Sequence, residues 1–215
     1  MATEKSAIAK LVISAPNMKI VKVTIEGTAP YVQAKFSQKA KAIIRAKHEA
    51  GSTSKKGVKK EPRDFDSDYE GAKHKAQEGW VGIPASAFRC AMISACRLVG
   101  FKMTIGKLSV FVEQDGFDVD DGLPLIKIIG EPKQHQMHTR NETGVCDLRV
   151  RPMWEKWSAD VRIRYDADQF TQQDVVNLIA RAGMQVGIGE GRPDSRESAG
   201  LGWGLFEIKE VVVLK

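Results

Sequence analysis

Long apolar runs are missing from these 215 residues. No stretch approaches the roughly 18 consecutive apolar residues that a membrane-spanning helix needs, so no span is expected. Cysteine is scarce: Cys90, Cys96 and Cys146 form an odd set with no CxxC spacing. That argues against a disulfide framework and a cysteine zinc site, and for a reducing, cytoplasmic setting. HExxH and Walker A spellings are absent, and neither Ser86 nor Ser195 sits in a nucleophile elbow. Zinc peptidases, P-loop ATPases and serine hydrolases therefore lack their residues here. The opening MATEKSAIAK has no apolar core of a secretory signal, so none is expected. No cofactor and no metal site are expected. Asp118, Asp120 and Asp121 lack the spacing of a calcium loop, and the acidic stretch 115–122 reads as a solvated turn.

What is present bounds the answer further. A 42% hydrophobic content supports a real core, and the length suits one domain, 1–215. The formal net charge of +6 favours polyanionic partners. Residues 18–26 alternate β-branched and polar side chains, Ile20, Val23 and Ile25 among Lys19, Lys22 and Thr24, and predict a strand. Residues 36–48 predict a helix. From 49 to 79 aliphatic content almost vanishes. Between residues 45 and 60, Arg45, Lys47, Lys55, Lys56, Lys59 and Lys60 stand against one acid, Glu49. Such a stretch buries too little to offset ordering entropy and reads as a flexible insertion, either a solvated loop or a basic finger over a nucleic-acid strand.

Pro84 opens the strongest helix, with Phe88, Ala91, Met92, Ala95 and Val99 at helical spacing and Gly100 as its stop. Cys90 and Cys96 are expected in the core with it. Residues 107–113 and 125–129 predict strands, and 131–144 a polar excursion holding His135 and His138. In 146–150 and 159–165, Arg149 and Arg151, then Arg162 and Arg164, alternate with apolar residues, so each pair shares a strand face. Thr171 and Asp174 spell a capping box, followed by a stripe of Val175, Leu178, Ile179 and Ala182 and a stop at Gly183. Two strand–helix units emerge, predicting an α+β fold of β-α-β-β-α-β plan, an antiparallel sheet with helices on one face. The last apolar run, Val211-Val212-Val213-Leu214, reads as an edge strand or a docking tail.

The chemistry-bearing residues favour nucleic acid. Gly187-Ile188-Gly189-Glu190-Gly191-Arg192 and Gly200-Leu201-Gly202-Trp203-Gly204 bracket Arg192 and Arg196. Glycine permits close backbone approach, and guanidiniums fork onto phosphates. A turn that needs glycine is the competing reading of the same pattern. The first cluster follows a helix, whereas a dinucleotide fingerprint follows a strand. Arg149, Arg151, Arg162 and Arg164 are candidates for phosphate, and Trp154, Trp157 and Tyr165 for base stacking; the alternative is that both tryptophans cover the core. Arg89 and Arg97 lie two turns apart on one helix.

These residues resemble the repeat-associated mysterious protein (RAMP) superfamily of CRISPR systems, most of all the crRNA-binding backbone subunit of multi-subunit surveillance complexes. The likeness rests on Val23-Thr24-Ile25-Glu26-Gly27-Thr28-Ala29-Pro30, on Ile83-Pro84-Ala85-Ser86-Ala87-Phe88-Arg89 and on the glycine clusters up to Phe206. It implies a modified ferredoxin-like, RNA-recognition-type fold. It also implies RNA bound at Ser86, Arg89, Gly189, Gly191, Arg192 and Gly202, and copies assembled along the strand. The 49–79 insertion, with Lys55, Lys56, Lys59 and Lys60, stands where the family carries a variable finger. The chain also looks similar to phage and prophage proteins, which would place it in the bacterial cytoplasm. The leading expectation is a non-enzymatic single-stranded nucleic-acid-binding protein, RNA favoured over DNA, forming homo-oligomers or filaments. A phage single-stranded DNA-binding or annealing protein, an endoribonuclease using a histidine of the polar segments (His48, His74, His135 or His138, the last two the first to test), and a protein module that blocks a host complex are the alternatives.

Overall fold

The computed structural model describes residues 13–49, 51, 62–140, 144, 146–195 and 200–214. In chain order they form β1 (Met18–Gly27), β2 (Tyr31–Val32), α1 (Gln38–Glu49), α2 (Phe65–Gly71), β3 (Gly82–Pro84), α3 (Ala85–Ala95) and α4 (Met103–Ser109). There follow β4 (Val110–Glu113), β5 (Gly116–Phe117), β6 (Pro124–Ile129), β7 (Lys133–Arg140), β8 (Cys146–Trp154), β9 (Ser158–Asp166), α5 (Gln172–Arg181) and β10 (Phe206–Leu214).

Strand β1 pairs antiparallel with both β10 and β9. Strands β4 and β6 pair with successive halves of β9. The path β1–α3–β4–β9–α5–β10, laid out as β10-β1-β9-β4, is two interleaved split β-α-β units, the ferredoxin-like plan. Period-two patterning sets which face is buried. Val21, Val23 and Ile25 of β1 and Val161 and Ile163 of β9 lie under α3 and α5, while Lys22, Arg162 and Arg164 point away. Ile20, grouped with the inward residues on sequence, takes the other parity and is half-buried. Phe88 and Met92 of α3 and Val175 and Ile179 of α5 close the core from the helical side.

The capping box of α5 forms as spelled: the Asp174 amide donates to Thr171 Oγ1 at 3.2 Å, and the Thr171 amide donates to Asp174 Oδ2 at 2.9 Å. Thr171→Ala is expected to cost about 1 kcal/mol, read as a lowered urea midpoint. Gly183 does not stop this helix. The chain continues through a single π turn, residues 182–186, and the left-handed break falls at Gly187, φ 72°. Gly183 instead allows close approach: a Cβ there would lie 2.3 Å from the Phe206 carbonyl oxygen of β10.

Several expectations change. Within the expected excursion 131–144, residues 133–140 form β7, which pairs with β8, and with β2 they make a second, three-stranded sheet. Of residues 107–113, expected as a strand, 107–109 end helix α4 and the strand begins at Val110. Residues 52–61, with Lys55, Lys56, Lys59 and Lys60, lie outside the described residues. The second half of the charged segment is folded, because it is anchored at several points. Asp64 caps α2 by accepting the Asp66 and Ser67 amides, Tyr69 donates its hydroxyl to the Pro132 carbonyl at 3.0 Å, and Ala72 and Ala76 are buried. Cys96 is buried as expected, but Cys90 is exposed, because it turns away from the sheet. No helix among the described residues is long and apolar enough to cross a membrane.

Candidate nucleic-acid interface

The two glycine clusters fold into one double loop. The Ile188 amide donates to the Gly204 carbonyl at 3.0 Å, and the Trp203 amide to the Gly191 carbonyl at 3.2 Å. The loop is fastened to the β2 side by the Glu190 amide on the Val32 carbonyl (2.9 Å) and the Gly204 amide on the Pro30 carbonyl (2.7 Å). Gly189 has φ 79°, and a Cβ there would stand 2.6 Å from both the Tyr31 ring and the Val32 carbonyl. Glycine is therefore required at 189 to seat the loop, whatever the loop binds.

This loop forms one wall of an open groove of about 1420 Å³. The β7–β8 ribbon, the start of α3 and the 31–36 segment supply the rest, bringing Ser86, Arg149, Arg151, Gly189, Gly191 and Arg192 to a common space. The electrostatics are set by one acid among three guanidiniums. Arg151 Nε donates to Glu190 Oε2 at 2.9 Å, Arg149 Nη1 lies 3.7 Å from Glu190 Oε1, and Arg192 Nη1 donates to the Gly189 carbonyl at 3.0 Å. At neutral pH this cluster is cationic by two charges, three guanidiniums against one carboxylate. Asp194, also at the groove, is paired with Arg97 at 2.7 Å and bonded by Ser94. The Ser94 bond and Arg97 together hold its carboxyl below the usual range.

The other sequence candidates stand elsewhere. Arg89 donates to the carbonyls of Val110 and Lys107 and sits over Phe111 at 5.3 Å. Arg164 covers the same ring at 5.4 Å. Arg162 pairs with Asp115 at 2.8 Å and donates to the Gln114 carbonyl. These three brace the β4–β9 edge and do not reach the groove. Gly202 does not line it, and Arg196 lies outside the described residues. Trp154, Trp157 and Tyr165 are 0%, 3% and 3% exposed, which removes them as stacking platforms. Both tryptophans pack on Tyr31 at 5.5 Å, and Trp157 donates its indole N–H to the Ala29 carbonyl. His135 and His138 lie on strand β7, His135 edge-on to Trp203 and His138 at the groove.

Three features escaped the sequence. The first is the period-two segment after β2: Gln33 and Lys35 point inward, while Ala34 and Phe36 point out. Phe36 is 54% exposed at the groove, a free aromatic face. The second is a buried ionic network behind it. Lys35 Nζ donates to Asp118 Oδ1 at 2.8 Å and to Asp120 Oδ2 at 2.6 Å. Asp118, expected in a solvated turn, is 1% exposed, because it also accepts the amides of Asp120 and Asp121. Burial alone would raise its pKa, but these bonds, that from Lys35 foremost, outweigh it and hold it at about 2. The third is the burial of His74: expected on sequence as a solvated loop histidine, it is 8% exposed and bonded through Nδ1 to Asp118 Oδ2 at 2.8 Å. Burial is the main cause that lowers its pKa. Among the described residues no cluster of three or more His, Cys, Asp or Glu is arranged to hold a metal ion.

No protein-family model matches the chain, and no curated protein matches it at a significant level. Among solved structures, it is similar to a chain in a cryo-EM structure of the Type III-B Cmr-beta complex bound to cognate target RNA. The TM-score is 0.44 and the identity 13%, over 92% of this chain and 61% of that one. The chain thus spans about three fifths of that neighbour's length.

Proposed function

We propose that this chain is a non-enzymatic, single-stranded nucleic-acid-binding protein of the RAMP type, with the groove beside the glycine loop as its binding site. One observation carries the reading: Arg149, Arg151 and Arg192, contributed by two separate elements, converge on one open groove with a free aromatic face at Phe36. Guanidiniums hold backbone phosphates and an exposed ring stacks a base, so the strand is gripped without sequence readout. The likeness in motif spelling favours RNA as the polymer. Assembly in repeating copies is part of the proposal. Edge strand β10 leaves Val211, Val212 and Val213 at 37%, 40% and 58% exposure, a surface on which a neighbouring copy would pair.

Fluorescence anisotropy with labelled single-stranded RNA, single-stranded DNA and duplex DNA, each titrated at several salt concentrations, tests the reading. Binding to a single strand is expected to outlast binding to duplex. With three phosphate contacts, log K against log salt should fall with a slope of about −2. Absence of binding to all three at low salt would remove the nucleic-acid reading and leave a protein-interaction role.

A further inference from the structure

His74 is held in one chemical form at the edge of the groove. Its Nδ1 lies 2.8 Å from Asp118 Oδ2. An ionised carboxylate only accepts, so Nδ1 carries the proton and Nε2 of the neutral ring is left as an acceptor. The assignment is firm because Asp118 is fixed from four sides, by Lys35, by His74 and by the amides of Asp120 and Asp121. The backbone is fixed as well: the His74 amide donates to Gln33 Oε1 at 2.8 Å, and the Gln33 amide group is anchored on the Gly82 carbonyl.

Nε2 has no partner among the described residues, and yet it is not sealed. The only sealed, unpartnered side-chain polar atoms there are Thr139 Oγ1 and Trp154 Nε1. Nδ1 is turned to the buried carboxylate, and His74 is one of the residues that line the groove. A nine-tenths-buried, single-tautomer acceptor at a nucleic-acid site suits a donor from a ligand that displaces water from it. Phosphates and the deoxyribose of a continuous strand carry none and base N–H donors change with sequence, whereas every ribose presents a 2′-hydroxyl.

We infer that His74 reads the sugar: its Nε2 accepts a hydrogen bond from a ribose 2′-hydroxyl of the strand in the groove, so the site takes RNA in preference to DNA. This rests on the groove being the nucleic-acid site. Lys35 and Asp118 act as positioning residues, since they hold the ring in the tautomer and rotation that presents Nε2.

The test compares three oligonucleotides of one sequence, RNA, DNA and 2′-fluoro RNA, against the native chain and His74→Asn. Asparagine retains a donor toward Asp118 where Nδ1 stood and removes Nε2. One hydrogen bond of ordinary strength predicts that the native chain binds RNA roughly three- to tenfold more tightly than 2′-fluoro RNA, which keeps a ribose-like pucker but cannot donate. In His74→Asn, RNA affinity should drop to the 2′-fluoro level while 2′-fluoro and DNA affinities stay unchanged, which also shows the variant is folded. Equal native binding to RNA and 2′-fluoro RNA would overturn the inference while leaving the groove reading intact. A preference that survives His74→Asn, or a parallel loss for all three ligands, would overturn it too. Failure of the native chain to bind any of them sinks the parent reading and this one together. The native comparison with 2′-fluoro RNA stands even if the variant does not fold.

Discussion

Lys35→Met is expected to lower the stability of the folded chain by about 3–5 kcal/mol, the cost of leaving a buried charge without its partner. The side chains of Lys35 and Asp118 are 3% and 0% exposed, so neither water nor mobile counterions can replace the missing ammonium. Methionine preserves the length and most of the apolar stem, which separates loss of charge from loss of packing. Asp118→Asn alone should also destabilise, because Lys35 then faces only Asp120, whose side chain is 40% exposed. The double variant should lose less than the sum of the two, and urea denaturation followed by circular dichroism gives the coupling from the four midpoints. A single-variant loss below about 1 kcal/mol would mean that the pair behaves as a surface ion pair.

The same network fixes how stability responds to acid. The Asp118 carboxyl, ordinarily near 3.8, stands at about 2 in the folded chain. The unfolded chain therefore takes up that proton first. The stability it lends is complete above about pH 4 and drains as pH falls toward 2. His74 is depressed below its ordinary 6.5, chiefly by burial, so its contribution begins to erode already as pH falls through 6.5. Both act in one direction, and the urea midpoint should decline monotonically from neutral pH to pH 2. In Lys35→Met, which lacks the main bond that lowers Asp118, the decline below pH 4 should be shallower.

Local signals carried the sequence reading as far as local physics decides. The alternation in β1 and β9, the capping box at Thr171 and Asp174 and the apolar spacing of α3 each report a choice settled within a few residues, and each element formed. The split β-α-β plan followed from their order. Misreadings cluster where partners are distant in sequence. His135 and His138 sit in a polar run that becomes strand β7 only because β8 offers a ladder. Trp154 and Trp157 were open to either reading, and Tyr31, more than 120 positions away, decides for burial. Asp118 looked solvated because its cation lies 83 residues earlier. Half of the candidate site was legible, since arginines beside glycines suggest phosphate chemistry regardless of context. Phe36 was not, and His74 was legible only as one of several loop histidines, because the 31–36 segment and the residues near His74 meet at the groove only in the fold. Two resident signals existed nonetheless, the inward parity of Gln33 and Lys35 and the outward parity of Phe36.

Changing Arg149, Arg151 and Arg192 together to alanine is expected to weaken single-strand binding by roughly a hundredfold or more at low salt. Each removes a charge-assisted contact of about 1.5–3 kcal/mol, part of which is offset by solvent. The slope of log K against log salt should fall toward zero by about 2, because these charges release the counterions. The loss should be alike for all base sequences, as contacts to phosphate carry no sequence information. Glu190→Gln gives the opposite sign. Glu190 occupies the forks of Arg151 and Arg149 with a carboxylate, at 2.9 and 3.7 Å, where a phosphate would sit, so a bound strand must displace it. Neutralising it should raise affinity several-fold and steepen the salt dependence. If Glu190→Gln instead weakens binding as the arginine changes do, the carboxylate is holding the forks in place, and the strand engages their outer faces without displacing it. Either result leaves the arginines as the phosphate contacts. Unchanged affinity in the triple variant removes them from that role and moves the search to the Arg162–Arg164 face of the sheet.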